Sequence, residues 1–324
     1  MAGRTVLYRG VLKSCNYHCS YCPFSRHPAS GRELLKDKEQ WFSFLRFLTE
    51  KTSWNIRALM VVPYGEALIH PWYWQGLAEL STLPQTDMVG AQTNLSFPER
   101  IFKDCFAGMG GDKEKLRLWA TFHPEMTNVS EFAGRCQRMH DLGVKMCAGA
   151  VSVPENLPVL LELRRALPED IYLWINKMDG RKRPYTREEQ EAFLDIDPYF
   201  MREVLPVAAD RARCADRLFA EGNGRLRTCN ISPPLAQRWD QPETQPEKAA
   251  GPAPSREEDF PAPFCRRSIC SCYLAYGGRD DPGNRKLFGE YPVFRIPRHA
   301  RLTRADVERI LAQEDQNNRS VRQR

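Results

Sequence analysis

Residues 5–22 read TVLYRGVLKSCNYHCSYC: a short apolar run over 5–8 that breaks at Gly10 and leads into a loop carrying Cys15, Cys19 and Cys22. The run has the β-branched and aromatic content of a strand. Reactive groups in βα proteins gather on loops that follow strands, so the cysteine spacing C-x3-C-x2-C falls where chemistry is expected. Outward from this stretch, short apolar runs alternate with longer segments of helical periodicity as far as about residue 200, the pattern of βα units around a parallel sheet. The further strand candidates are 58–62, 88–92, 116–122, 144–151 and 171–175.

Several helix starts are legible. Asp37 with Gln40 reads as the cap of a helix over 37–50 whose Trp41, Phe44, Leu45 and Leu48 share a face. Pro71 suits the first turn of a helix through Trp74, Leu77 and Leu80, and Ser96 with Glu99 reads as a capping box. Ser130 opens a helix with Phe132, Cys136 and Met139 on one face, which Gly143 can end. Thr303 and Asp306 read as the capping box of a short helix carrying Val307, Ile310 and Leu311.

At 324 residues the chain exceeds the usual size of one hydrophobic core. No apolar run approaches the ~20 residues that span a bilayer, which argues against a membrane role. The segment MAGRTVLYRG lacks the longer apolar stretch of a secretory signal, so the expected location is the cytoplasm. Eleven cysteines there read as metal ligands or core residues, because the cytosol keeps thiols reduced. An excess of 47 basic over 41 acidic residues without a Lys/Arg block does not point to nucleic acid.

Residues 234–262, rich in Pro, Glu, Gln and Ala, read as a flexible insertion. The expected organisation is a (β/α)6 core over 1–205, a smaller α+β module over 206–298 containing that insertion, and a C-terminal helix and tail over 299–324. The last ten residues read as solvated.

Each iron of a cubane cluster takes one thiolate, so Cys15, Cys19 and Cys22 would leave one corner open for chemistry. A zinc knuckle is the alternative, and it needs a fourth ligand, for which His18 and His27 are nearest. Other polar residues stand at the ends of successive strand candidates: Pro63-Tyr64-Gly65-Glu66, Gln92-Thr93-Asn94, Thr121-Phe122-His123, Val151-Ser152 and Asn176-Lys177. Turn formation explains any one of these, and the shared phase is what informs. A second cysteine group brackets the insertion, with Cys214 and Cys229 before it and Cys265, Cys270 and Cys272 after. Glu221-Gly222-Asn223-Gly224 is a hairpin-turn signal between the first two. Four thiolates suit zinc as well as iron. Cys105, Cys136 and Cys147, with His70, His140 and His299, read as packing residues.

The triplet, with Tyr21 directly before the last cysteine, resembles the signature of radical S-adenosylmethionine enzymes. The resemblance implies an α/β fold, a partial (β/α)6 TIM-like barrel with a small C-terminal α+β iron–sulfur module. It also implies an oxygen-sensitive [4Fe–4S] cluster whose open iron chelates the methionine moiety of S-adenosylmethionine. Reductive cleavage there gives a 5′-deoxyadenosyl radical for hydrogen abstraction, so the cofactor carries the hard chemistry. Carried over residue by residue, Tyr21, Gly65, Glu66, Thr93, Asn94, His123, Val151, Ser152 and Asn176 fall at cofactor-lining positions. Glu66 would receive the methionine ammonium, and Val151 and Ser152 the adenine. Tyr64 departs from the first glycine of the family's motif. The second group resembles SPASM and twitch extensions, which hold auxiliary [4Fe–4S] clusters. The seven-cysteine SPASM pattern is absent, which implies one such cluster on Cys214, Cys229, Cys270 and Cys272, with Cys265 spare or exchangeable. The implied partners are S-adenosylmethionine, a reductant such as flavodoxin or ferredoxin, and a peptide or protein substrate. A small metabolite or RNA base is the alternative substrate, and a zinc-stabilised binding protein the alternative class. The order CNYHCSYCPF, PYGEALI, QTNLS, TFHP, YLWIN and CRRSICSC resembles a bacterial branch of the superfamily and specifies no substrate.

Overall fold

The computed structural model describes residues 3–22, 28–50, 54–178, 180–204, 207–208, 217–241, 269–270, 282–298, 302–310 and 312. The protein is α/β, as expected, and begins with six βα repeats. They are β1 (Arg4–Arg9) with α1 (Gly31–Glu50), β2 (Ile56–Val61) with α2 (Pro71–Thr82), and β3 (Met88–Thr93) with α3 (Glu99–Phe102). There follow β4 (Leu116–Thr121) with α4 (Val129–Asp141), β5 (Lys145–Val151) with α5 (Leu157–Ala166), and β6 (Tyr172–Asn176) with α6 (Arg187–Leu194). Each strand candidate is found within two residues of its expected ends. Among the described residues no helix is long and apolar enough to cross a membrane.

The chain divides into two compact units, Met1–Leu116 with Cys214–Cys265, and Arg117–Arg213 with Arg266–Arg324. In the first, β2 runs parallel to both β1 and β3, with Tyr8 opposite Val61 and Val61 opposite Ala91. After α6 the chain continues through α7 (Met201–Val204) and the short β7 (Val207–Ala208). On the other edge of β1 lies a further parallel strand, β8 (Arg217–Glu221), which turns back through the expected hairpin into β9 (Leu226–Arg227). Gly224 makes that turn with φ +91°, a left-handed conformation that favours glycine. β1 is central to this sheet, and Val6 and Tyr8 are fully buried. Tyr8 packs on Trp41 and Phe44 with ring centroids 4.9 and 4.5 Å apart, and Trp41 meets Tyr73 at 5.1 Å.

Three helix starts differ from expectation. α1 begins two turns before Asp37, where Ser30 and Glu33 form the capping box: Glu33 N–H donates to Ser30 Oγ, and Ser30 N–H to the Glu33 carboxylate. Asp37 is instead fully buried inside the helix, accepting from Trp72 Nε1 and the Tyr73 hydroxyl, each at 3.1 Å. α3 starts after Pro98, and Ser96 bonds back toward Asn94 and Asn16 rather than capping it. α4 is capped by Asn128, whose side chain accepts from Glu131 N–H, and Ser130 sits within the first turn. Pro71 does open α2, and Thr303 and Asp306 do form their box.

In the second unit β4, β5 and β6 are parallel, with Trp119 opposite Cys147 and Gly149 opposite Trp174. Phe132, Cys136 and Met139 of α4 are buried together, as their spacing implies, and Cys147 is buried in its strand. His140 differs from its packing assignment, standing part-exposed and 2.6 Å from Asp170. Cys105, on the other unit, is only half-buried. β7 pairs antiparallel with β10 (Ile269–Cys270), and α8 (Pro282–Phe288) follows. Phe288 packs against Tyr172, Trp174 and Tyr199.

Candidate active site

In the first unit the loop after β1 brings the cysteine triplet against the ends of β2 and β3. Glu66 N–H donates to the Ser14 carbonyl at 3.1 Å, tying the two loops together. Gly65 makes this approach possible, since a Cβ there would fall on the Ser14 carbonyl. Glu66 itself is buried, and its carboxylate accepts from Leu68 N–H at 3.0 Å, the Thr93 hydroxyl at 2.9 Å and Asn94 N–H. Burial pushes Glu66 up to about 7 against the pull of these three donors. Asn94 in turn donates from its amide to Asn16 Oδ1 at 3.1 Å and to Cys15 Sγ at 3.8 Å. Of the residues predicted from sequence, Cys15, Glu66, Thr93 and Asn94 therefore form one connected network, to which the structure adds Asn16 and Ser96.

Tyr64, which replaces a glycine of the expected motif, has its own packing. The Arg9 guanidinium lies 4.6 Å from its ring centroid and 4.7 Å from that of Phe219, and the Lys13 ammonium lies 5.6 Å from Tyr64. Arg9 also donates to the Val62 carbonyl and to Asn230 Oδ1, so the end of β1, the end of β2 and the hairpin region are fastened by one side chain. Tyr21 is exposed. A cavity of about 540 Å³ lies beside the cysteine loop, lined by Val11, Leu12, Lys13, Ser14, Lys36 and neighbours.

The thiols fit a cluster in the chemistry of their donor set. Cys19 is buried, Cys15 and Cys22 are half-buried, and Cys22 N–H closes a turn onto the Cys19 carbonyl at 3.2 Å. Tyr17 N–H points at Cys15 Sγ at 3.4 Å, so two N–H donors converge on that sulfur. Burial first, then the nearby Glu66, Cys19 and Cys22, push the Cys15 thiol up to about 11. Ligated iron would reverse that, because a coordinating thiol is deprotonated outright. Among the described residues no three His, Cys, Asp or Glu side chains gather as a single metal ion requires. A cubane takes each thiolate on a different iron, so its ligands stand apart rather than around one point. His27, the more accessible fourth zinc ligand in sequence, lies outside the described residues.

In the second unit the predicted positions at the ends of β5 and β6 are joined to one another. Ser152 is fully buried; its hydroxyl donates to the Asn176 carbonyl at 2.8 Å and shares a 2.6 Å hydrogen bond with the Tyr185 hydroxyl. Tyr185 is further held by Met178 N–H, and Arg181 stacks 4.1 Å from its ring centroid. Val151 is half-buried at the strand end, and burial pushes His123 down to about 4, so it is neutral at pH 7. Asn176 Oδ1 accepts from Arg295 at 2.6 Å. Arg295 is fully buried, lies 3.8 and 4.0 Å from the ring centroids of Trp119 and Trp174, and pairs with Glu203 at 3.5 Å. It adopts φ +56°, a left-handed conformation that costs about 1 kcal/mol for a residue with a Cβ.

Of the second cysteine group, Cys229 is described and half-buried, with Ser232 Oγ accepting from its N–H at 3.1 Å. Cys270 is described in its backbone, within β10. Cys214, Cys265 and Cys272 lie outside the described residues, as do His299, residues 242–262 of the insertion and the last ten residues.

No protein-family model matches the sequence, and no curated protein matches it. Solved structures do. The chain is similar to anSMEcpe with bound AdoMet and the Kp18Cys peptide, at 12% identity and a TM-score of 0.46, over 70% of this chain and 74% of that one. It is similar also to hexahistidine-tagged anSMEcpe with bound AdoMet, at 11% identity and a TM-score of 0.48, over 75% and 79%. A third is BtrN in complex with AdoMet and 2-DOIA, at 12% identity and a TM-score of 0.35, over 69% and 72%.

Proposed function

We propose that this chain is a cytoplasmic radical S-adenosylmethionine enzyme. The observation that carries the proposal is the junction of the thiol triplet with Glu66, Thr93 and Asn94: three thiols on one short loop, fastened to the ends of two adjacent strands. Cys15, Cys19 and Cys22 would hold a [4Fe–4S] cluster, which would supply the one electron needed to cleave S-adenosylmethionine into methionine and a 5′-deoxyadenosyl radical.

The chain's own residues hold and shield that chemistry. Gly65 and Glu66 N–H fix the approach of the cysteine loop at Ser14. The Glu66 carboxylate keeps the end of β3 in register through Thr93 and Asn94, and with Leu68 N–H also bound has one acceptor position, of about four, left for a cationic group. Buried Tyr17 and Cys19 keep water from the loop's inner side. In the other unit, His123, Val151, Ser152 and Asn176 are the proposed adenosine-side residues, with Asn176 held by Arg295. Tyr21 completes the proposed cofactor set.

The substrate we propose is a peptide or protein side chain, on the strength of the second cysteine group; an auxiliary cluster on Cys214, Cys229, Cys270 and Cys272, with Cys265 as spare, would belong to a module over 206–298. The reductant would be a low-potential one-electron donor such as flavodoxin or ferredoxin. Anaerobic reconstitution with iron and sulfide, reduction with dithionite and chromatography for 5′-deoxyadenosine test the core of the proposal. Accumulation of 5′-deoxyadenosine that stops when Cys15, Cys19 and Cys22 are all replaced by Ala is the expected result. No 5′-deoxyadenosine from reduced, iron-loaded protein would contradict it.

A further inference from the structure

We propose that Asn94 is a positioning residue that acts on the cluster through Cys15, as a hydrogen-bond donor that makes the cluster easier to reduce. The inference rests on the radical S-adenosylmethionine reading above and deepens it, since that reading alone sets Asn94 only at the cofactor's edge.

The orientation of the Asn94 amide is fixed by its partners. Its Oδ1 accepts from Ser96 N–H at 3.0 Å and from the Ser96 hydroxyl, so that atom is the oxygen and the other is the donor. The NH2 group therefore faces Asn16 Oδ1 at 3.1 Å and Cys15 Sγ at 3.8 Å. The backbone is anchored as well, because Asn94 N–H donates to the buried Glu66 carboxylate, which also holds the neighbouring Thr93 hydroxyl. With only 5% of its surface exposed, Asn94 has little room for another rotamer. The donor is thus held from both ends at the tip of β3 and presented to one sulfur.

An N–H aimed at a ligand sulfur sets positive charge beside the site where the added electron resides, and hydrogen bonds to the sulfurs are among the levers that set cluster potentials. Tyr17 N–H, at 3.4 Å from the same Sγ, is a second donor, but it belongs to the cysteine loop itself. Asn94 comes from 79 residues away and links the potential to the strand that carries Thr93. The process is a one-electron reduction from an external low-potential donor; no bond is made or broken at Asn94, which keeps its protons.

The test is a potentiometric titration of the anaerobically reconstituted full chain with dithionite, followed by electron paramagnetic resonance, without S-adenosylmethionine. Omitting S-adenosylmethionine means that a lost cofactor contact cannot produce the shift. In Asn94→Ala the ratio of reduced to oxidised cluster at the wild-type midpoint should fall about tenfold, which is ~59 mV for a one-electron couple. Ser96→Ala, which removes the hydroxyl held against Asn94 Oδ1 but keeps the Ser96 N–H, loosens the amide while leaving Asn94 in place; it should shift the same way by less, and it keeps the proposal readable where Asn94→Ala fails to assemble. A wild-type midpoint in a fully loaded variant would overturn the inference and leave the proposed function standing. A wild-type protein that assembles no paramagnetic cluster on reduction would overturn the reading beneath it.

Discussion

A methyl group at Gly65 would collide with the Ser14 carbonyl and crowd Cys15 N–H, and both are backbone atoms that cannot rotate aside. The cysteine loop would have to retreat from β2, breaking the hydrogen bond from Glu66 N–H to Ser14. Gly65→Ala is therefore expected to cost about 1–3 kcal/mol, as overpacking commonly does. It should also lower iron bound at the triplet by more than half, measured by iron assay after anaerobic reconstitution. Wild-type iron content in the variant would show that the close approach does not hold the loop. The glycine's neighbour tells the same story in another way. Glu66 is recognisable in sequence as an acid after a strand, but its three donors come from the backbone of its own loop and from β3, and only Leu68 is local.

At the scale of elements, strands were readable because a run such as residues 144–151 announces itself within its own length. Helix starts were less so. Both Ser30-x-x-Glu33 and Asp37-x-x-Gln40 satisfy the capping pattern, and what separates them is that Trp72 and Tyr73 reach back to bury Asp37. The Thr186–Glu189 box of α6 has its local signal in the letters TREE. Arg295 could not be found by any local rule, since its partner Asn176 is 119 residues away. The elements around Arg295 also make a pH prediction. Burial raises Asp197 to about 6 and Glu203 to about 7, and for Glu203 it outweighs the Arg295 guanidinium 3.5 Å away. Both folded values lie above the unfolded ones, so the folded chain keeps protons that the unfolded chain releases. The stability these groups contribute is fully present below about pH 4 and is lost as the pH rises through 6 to 7. The denaturation midpoint of the apo chain should fall from about pH 5 to about pH 8, and less steeply in Glu203→Gln. Parallel curves for the two proteins would contradict the assignment.

For the molecule as a whole, the α/β architecture followed from the alternation of strand and helix patterns, while the placement of β8 beside β1 did not. Residues 217–221 pair with a strand more than 200 positions earlier, and only the hairpin after them had a sequence signal. The candidate site divides the same way. Its cysteines, glutamate and asparagine were visible as motifs, whereas the connections among Asn16, Asn94 and Ser96 depend on two loops meeting. All of it bears on one claim, that three thiolates leave an iron available to S-adenosylmethionine. The most direct measurement is the electron paramagnetic resonance spectrum of the reduced, reconstituted Cys229→Ala protein, recorded before and after adding S-adenosylmethionine, so that the triplet's signal is observed with the second cysteine group impaired. A shift in the g-values on addition is the predicted result. A spectrum that S-adenosylmethionine leaves unchanged, in protein with a full complement of iron at the triplet, would contradict it.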